Sequence, residues 1–339
     1  MRAHIWKVAG QNLAIAALAA GLTAGVTFAA QAQSVELWSS RDAQQGSLPI
    51  IAKQQGFFQE NGVDVTLKFV SSGSELSGGM AGGTIPIAVA ASTNPMAMAA
   101  SGIPVKILAQ ISDISGIMQV LVRDGSGITK PSDLEGKKIG ITRIPLSVSV
   151  LERGCAVYGC DLSKIEMVNM QPEDIVLGYE RGNVDAVLTW EPWASYVVQR
   201  GGKVMFSATK SFIPGEPGEK KIDAVYAALF ARPDFIDAQP KAVDGILRAL
   251  SKAAEFLKSS PDEAAEMVGK VINIPPDVVK STYAKINTGV VLPSQFSVDF
   301  DAKSEYLLKL GELRGAVKAA EVIDPAPLKA VCPECVTLP

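Results

Sequence analysis

Histidine is nearly absent from this chain: its 339 residues include one, His4. Aromatic residues make up 6%, cysteines number four, and beyond the amino-terminal segment no apolar run approaches the length of a membrane span. The single histidine lies in a segment expected to be lost. Arg2 and Lys7 precede an Ala/Leu/Gly-rich run that ends in Ala30-Gln31-Ala32, the pattern of a secretory signal peptide with an A-x-A cleavage site. The run from Leu13 to Ala30 is almost long enough to cross a bilayer, but its Ala/Gly content and closing cleavage motif favour a removed leader over a retained anchor. No cysteine near the cleavage point offers a lipid attachment. Residues 1–32 are therefore expected to be removed, leaving a soluble, exported chain from Gln33.

Without that leader no imidazole remains for metal ligation, for activating a Ser or Cys nucleophile, or for base catalysis near neutral pH. Charge excludes a second class. The leader holds two of the 32 Lys+Arg and none of the 35 Asp+Glu, so 30 basic residues face 35 acidic ones and the net charge is −5. Nucleic acid and anionic membrane surfaces are poor partners for such a chain. No motif calls for a cofactor or a metal.

The cysteines, Cys155, Cys160, Cys332 and Cys335, would meet an oxidising compartment. Three pairings are possible. The two local ones, 155 with 160 and 332 with 335, are favoured because each closes a short loop without long-range geometry. Cys332-Pro333-Glu334-Cys335 also has redox and zinc spacing, but it lies at the extreme carboxyl end rather than at the start of a helix in a thioredoxin-like unit. A structural disulfide is the expectation there.

About 300 mature residues exceed one compact core and suggest two lobes. From Val35 onward, short β-rich runs alternate with helical ones, which predicts an α/β fold with mostly parallel sheets flanked by helices. "VELWSS", "VDVTLKFV", "IPIAVAAS", "VKILAQIS" and "IMQVLVR" read as strands. "LPIIAKQQGFFQENG" reads as one helix ending near Gly62, and another opens after Asn94-Pro95. A second lobe starts at "GITKPSDLEGKKIGIT", continues through a helix stopping at Gly159, and ends in "VDAVLTW". The long apolar strand "IDAVYAALFARPDF" leads back. Lobe one thus comprises 33–122 plus 226–339, lobe two 123–225, and the two crossings form a hinge suited to closing on a small ligand. The tail is helical: Val243, Ile246, Leu247, Leu250, Ala254 and Leu257 share one face, and Ser260-Pro261-Asp262-Glu263 reads as a capping box. Nothing in it promises chemistry.

"LPIIAKQQGFFQENGVDVTL", "ITKPSDLEGKKIGI" and "YERGNVDAVLTWEPWAS", in that order, resemble the nitrate, sulfonate and taurine family of ABC-importer solute-binding proteins, which have the type II periplasmic binding fold. The similarity runs from about Val35 to Leu257. It implies a periplasmic receptor, monomeric, that captures a small organic anion between its lobes and hands it to an inner-membrane permease driven by a separate ATPase. Sulfonates or taurine lead nitrate, aromatic and carboxylate solutes. Relatives in thiamine-precursor synthesis resemble the chain while performing chemistry, but that chemistry relies on a histidine the mature chain lacks. A periplasmic sensor is a further alternative.

In open α/β sheets ligands lie beyond the carboxyl ends of the strands, where helix amino termini present unpaired N–H groups and favour negative charge. The candidates are Ser72, Gly73, Ser92 and Thr93 in lobe one, Arg143 and Ser147 in lobe two, and Arg41 and Gln45 after the first strand. "SSGSELSGGMAGG" is not a phosphate loop, since no Gly-Lys-Ser/Thr follows it. In "TWEPW", Trp190 and Glu191 occupy the ligand-side turn. Glu191 would pair an ammonium such as that of taurine, with an aromatic face adding cation–π attraction, or else begin the next helix, with Pro192 at its first position and Trp193 on its buried side.

Overall fold

The structure, a computed structural model, describes residues 33–70 and 73–338. Among the described residues, thirteen strands form two sheets. One contains β1 (Gln33–Ser40), β2 (Val63–Val70), β3 (Ile87–Ala91), β4 (Lys106–Asp113), β12 (Tyr226–Ala231) and β13 (Asn287–Val291), ordered β13-β4-β12-β3-β1-β2. The other contains β5 (Gln119–Arg123), β6 (Lys138–Ile141), β7 (Glu166–Asn169), β8 (Ala186–Thr189), β9 (Gly202–Ser207), β10 (Lys210–Ser211) and β11 (Gly218–Glu219), ordered β11-β10-β9-β5-β8-β6-β7. Helices flank both, giving two α/β lobes joined by two crossings.

Both sheets are mixed. Parallel pairing holds for β2-β1-β3 and β7-β6-β8, where a helix carries the chain back between strands. Strands next to the crossings are antiparallel: β12 runs against β3 and β4, and β5 against β8 and β9. They enter straight from the other lobe with no crossover helix to reverse them. β5 therefore belongs to the second sheet, and the first crossing is Ile114–Met118 rather than a segment after residue 122. The second crossing runs between β11 and β12.

Burial follows the expected patterns. All six residues of β12 are buried at the centre of its sheet, while β2 alternates buried and exposed positions at the edge. Helix Pro240–Ser259 buries the predicted face, including Ile246, Leu250 and Leu257. Some boundaries differ from expectation. The first helix divides into Ser47–Gln54 and Phe57–Glu60 at Gly56, whose φ of 75° is left-handed. Helix Pro261–Ile272 begins as predicted, yet Ser260 makes no side-chain cap bond. Asp262 and Glu263 still place negative charge in its first turn.

Cys155 is bonded to Cys160, and Cys332 to Cys335.

Candidate functional site

The two crossings lie side by side. Ile114 N donates to Val225 O at 3.0 Å, and Ser115 Oγ accepts from Val225 N at 2.9 Å. Above them a cavity of about 430 Å³ opens between the lobes. Its six-stranded side is built from Gln44 and Gln45 after β1, Ala91 ending β3, and Thr93 and Ala97 of helix Thr93–Ala100. The opposite wall is Ile144, Pro145 and Leu146, opening helix Pro145–Tyr158, with half-buried Trp190 just past β8. The carboxyl ends of strands from both sheets thus meet at one space, with two helix amino termini beside it.

Of the residues singled out from the sequence, Gln45, Thr93 and Trp190 line this cavity. Gln45 is oriented by Asp42, which accepts from its backbone N at 2.7 Å and its Nε2 at 2.8 Å. Burial pushes the Asp42 carboxyl up to about 6, against the lowering effect of backbone N–H donors. Ser92 is buried, and its backbone N donates to Tyr226 O at 2.8 Å, but its side chain does not cap the helix it precedes. Ser147, one residue past the lining, is fully buried and its hydroxyl has no hydrogen-bond partner in the protein. Thr189, preceding Trp190, is in the same condition.

Arg41 and Arg143 lie outside the lining. Arg41 is exposed; its guanidinium donates to Val271 O at 2.9 Å and sits 5.7 Å from the centroid of Phe69, so a tail helix and an aromatic face hold it. Arg143 is also exposed and outside the lining, with its backbone N donating to Asn169 Oδ1 at 3.0 Å. Gly73 starts helix Gly73–Ala81, and Ser72 lies outside the described residues.

Glu191 is completely buried, and its partners belong to the protein. Oε1 is 2.7 Å from Lys285 Nζ and accepts from Gln119 Nε2 at 2.9 Å, while Oε2 accepts from Ser195 N at 3.2 Å. It therefore does two things at once: it satisfies the first turn of helix Trp193–Gln199 and it reads a positive charge, that of Lys285. The Glu191–Pro192 peptide is cis, and Trp193 packs edge-on to Tyr196 with centroids 5.8 Å apart.

Lys285 comes from the tail read as inert, and so does Lys303. Lys303, in helix Ser294–Lys309, lines the cavity and pairs with buried Asp223 of the second crossing at 2.5 Å. Asp223 also accepts from Ser149 Oγ at 2.6 Å and lies 3.7 Å from Arg153, both on helix Pro145–Tyr158. Burial pushes the Lys303 ammonium down, with Asp223 opposing. One turn along, Tyr306 donates to Glu152 at 2.5 Å. Two lysines of the tail thus bind buried carboxylates at the junction of the lobes. Sequence reasoning missed both: Lys303 on its helix reads as part of a solvated face, and Lys285 sits in the turn between helix Pro276–Tyr283 and β13, where nothing local points to Glu191.

The family profile described as NMT1/THI5 like matches residues 47–264. The chain is 27% identical over 255 residues to the taurine-binding periplasmic protein of Escherichia coli K12, covering 75% of this chain and 74% of that one. Among solved structures it resembles the alkanesulfonate-binding protein SsuA of Xanthomonas axonopodis pv. citri bound to MOPS, with a TM-score of 0.66, 18% identity, and coverage of 86% and 98% of the two chains. The desulfurization enzyme DSZB shares the fold too, at a TM-score of 0.61 and 16% identity over 87% of this chain and 98% of that one.

Proposed function

The chain belongs to the NMT1/THI5-like family, and from that premise we propose that it is the periplasmic solute-binding receptor of an ABC importer. It captures a small organic anion, a sulfonate foremost, between its lobes and presents the closed form to a membrane permease. The observation that carries this reading is the cavity bounded by strand ends of both sheets and by the opening turns of helices Thr93–Ala100 and Pro145–Tyr158. Helix amino termini favour anions, and the buried, unpartnered hydroxyl of Ser147 lies in the first turn of one of them. The names of relatives that bind taurine and alkanesulfonate agree with it.

An enzyme on the same fold is the competing reading. It is disfavoured because the described residues lining the cavity include no Cys and no His, so they supply neither a thiol nucleophile nor an imidazole base. Binding without turnover needs neither.

A thermal-shift panel of alkanesulfonates, arenesulfonates, taurine, nitrate and small carboxylates tests the proposal. A ligand at 100 times its Kd stabilises the folded protein by about 2.7 kcal/mol, a rise of several degrees for a chain this size. If no member of the panel moves the melting temperature, the organic-anion reading is wrong. Conversion of a bound probe to a new product would instead identify an enzyme.

A further inference from the structure

We infer that the solute is an organic anion with an extended apolar body and no ammonium group, and that Lys303, brought from the carboxy-terminal tail, meets its negative charge. The inference rests on the receptor reading and specifies the chemistry of the same site. Its first support is the cavity wall. A space of about 430 Å³ falls within the range of small-molecule sites. Ile117, Met118, Ile144, Leu146, Trp190 and Leu313 contribute much of its surface. A small inorganic oxyanion surrounded by such walls would leave several oxygens without donors after losing its water. An alkyl or aryl group gains there by removing apolar area from water.

Its second support is the distribution of charge. Among the described residues lining the cavity, Lys303 is the one cation, and its side chain is 6% exposed. The arginines singled out from the sequence, Arg41 and Arg143, are exposed and outside the lining. Lys303 now binds Asp223, but Asp223 does not depend on it alone, since Ser149 donates to the same carboxylate and Arg153 stands beside it. The ammonium carries three donors, so it is able to hold Asp223 and a ligand oxygen together. Lys303 also links the ligand space to the second crossing and to helix Pro145–Tyr158, so charge recognition and lobe position share one side chain.

Its third support is the fate of the carboxylates. Glu191, the residue placed to recognise an ammonium, is buried against Lys285, Gln119 and Ser195. Among the described lining residues Glu312 is the one acid, and it is exposed. An aminosulfonate would therefore place its ammonium against apolar walls without a buried partner.

Isothermal titration of the leader-free protein with hexane-1-sulfonate, naphthalene-2-sulfonate, taurine and nitrate tests this. The apolar sulfonates are expected to bind at least tenfold more tightly than taurine or nitrate. Lys303→Met combined with Asp223→Asn, which removes the pair without stranding a buried charge, is expected to weaken the apolar sulfonates at least tenfold, as loss of a charged hydrogen bond does. Lys303→Arg should retain binding to within a few-fold, and Asp223→Asn alone should bind at least as tightly as the native protein. Circular dichroism melts verify that each variant is folded. Tighter binding of taurine or nitrate would overturn the ligand class while leaving the receptor reading intact. Equal affinity of the native protein and the folded double variant would overturn the role of Lys303. Failure of all four probes would count against the receptor reading itself as well as this extension of it.

Discussion

Removing the Glu191 carboxylate should destabilise the protein chiefly by uncoupling its lobes. Glu191 reaches out from the loop after β8 in the seven-stranded lobe, and Lys285 stands just before β13 of the six-stranded one, with 2.7 Å between their charged atoms. Breaking a buried pair by deleting one partner costs about 3–5 kcal/mol, because the other charge is left uncompensated. Lys285 is less deeply placed than Glu191, 25% exposed against 1%, and already donates to Ser281 O and Oγ at 3.0 and 2.6 Å. Water and Ser281 therefore offset part of the loss, and Glu191→Ala should cost about 2–3 kcal/mol. At roughly 2–4 °C per kcal/mol for a chain of this order of size, the melting temperature should fall by about 5–10 °C. Lys285→Met should cost less than Glu191→Ala only if Gln119 and the N–H of Ser195 suffice for the buried carboxylate. A double-mutant cycle by urea denaturation isolates the pair, with an expected coupling of about 1.5 kcal/mol or more. Additivity of the two single variants within about 0.5 kcal/mol would refute the pair as a link between lobes.

Two further outcomes follow from the same junction and its surroundings. A Cβ added to Gly116 in the first crossing would lie 2.3 Å from Lys285 O, a backbone atom. Gly116→Ala should therefore displace residue 285 from Glu191 and lower the melting temperature, whereas an unchanged melt would show that the crossing yields freely. The Asp42 carboxyl is raised to about 6 by burial, so its contribution to stability is fully present below its unfolded value and lost as pH rises through about 6. Asp42→Asn should flatten the pH dependence of the urea midpoint between about pH 4 and 7, and identical profiles for the two proteins would contradict the assignment.

The larger plan was legible because it depends on short-range regularities. Alternation between strand and helix, the return through "AVYAALFA" and the helical turn that opens at Pro131 follow from periodicity and turn chemistry, whereas the entry into the second lobe at β5 does not. Trp190 lines the cavity between the lobes, as the position just past a strand end in an α/β lobe suggests. Partners distant in sequence were not legible. Nothing near Glu191 reveals that Lys285 will meet it, and nothing near Asp223 points to Lys303, since both contacts depend on where the tail packs after two crossings. Arg41 illustrates the converse: its position after the first strand suits a ligand, yet Val271 O and Phe69 hold it elsewhere. Local sequence sets the direction of a strand end, whereas the occupancy of a charge is decided by tertiary neighbours.

The strand order also bears on synthesis. Every strand of the seven-stranded sheet lies between Gln119 and Glu219, so a nascent chain that has emerged as far as Glu219 already holds that sheet complete. The six-stranded sheet at that moment is split, because its central member β12, between β3 and β4, has yet to emerge. The amino-terminal half of the first lobe must therefore wait beside a finished neighbour, with the inner edges of β3 and β4 unpaired until residues 226–231 arrive. Unpaired edges of this kind are where incomplete chains associate wrongly, and here that interval lasts for the whole of the second lobe.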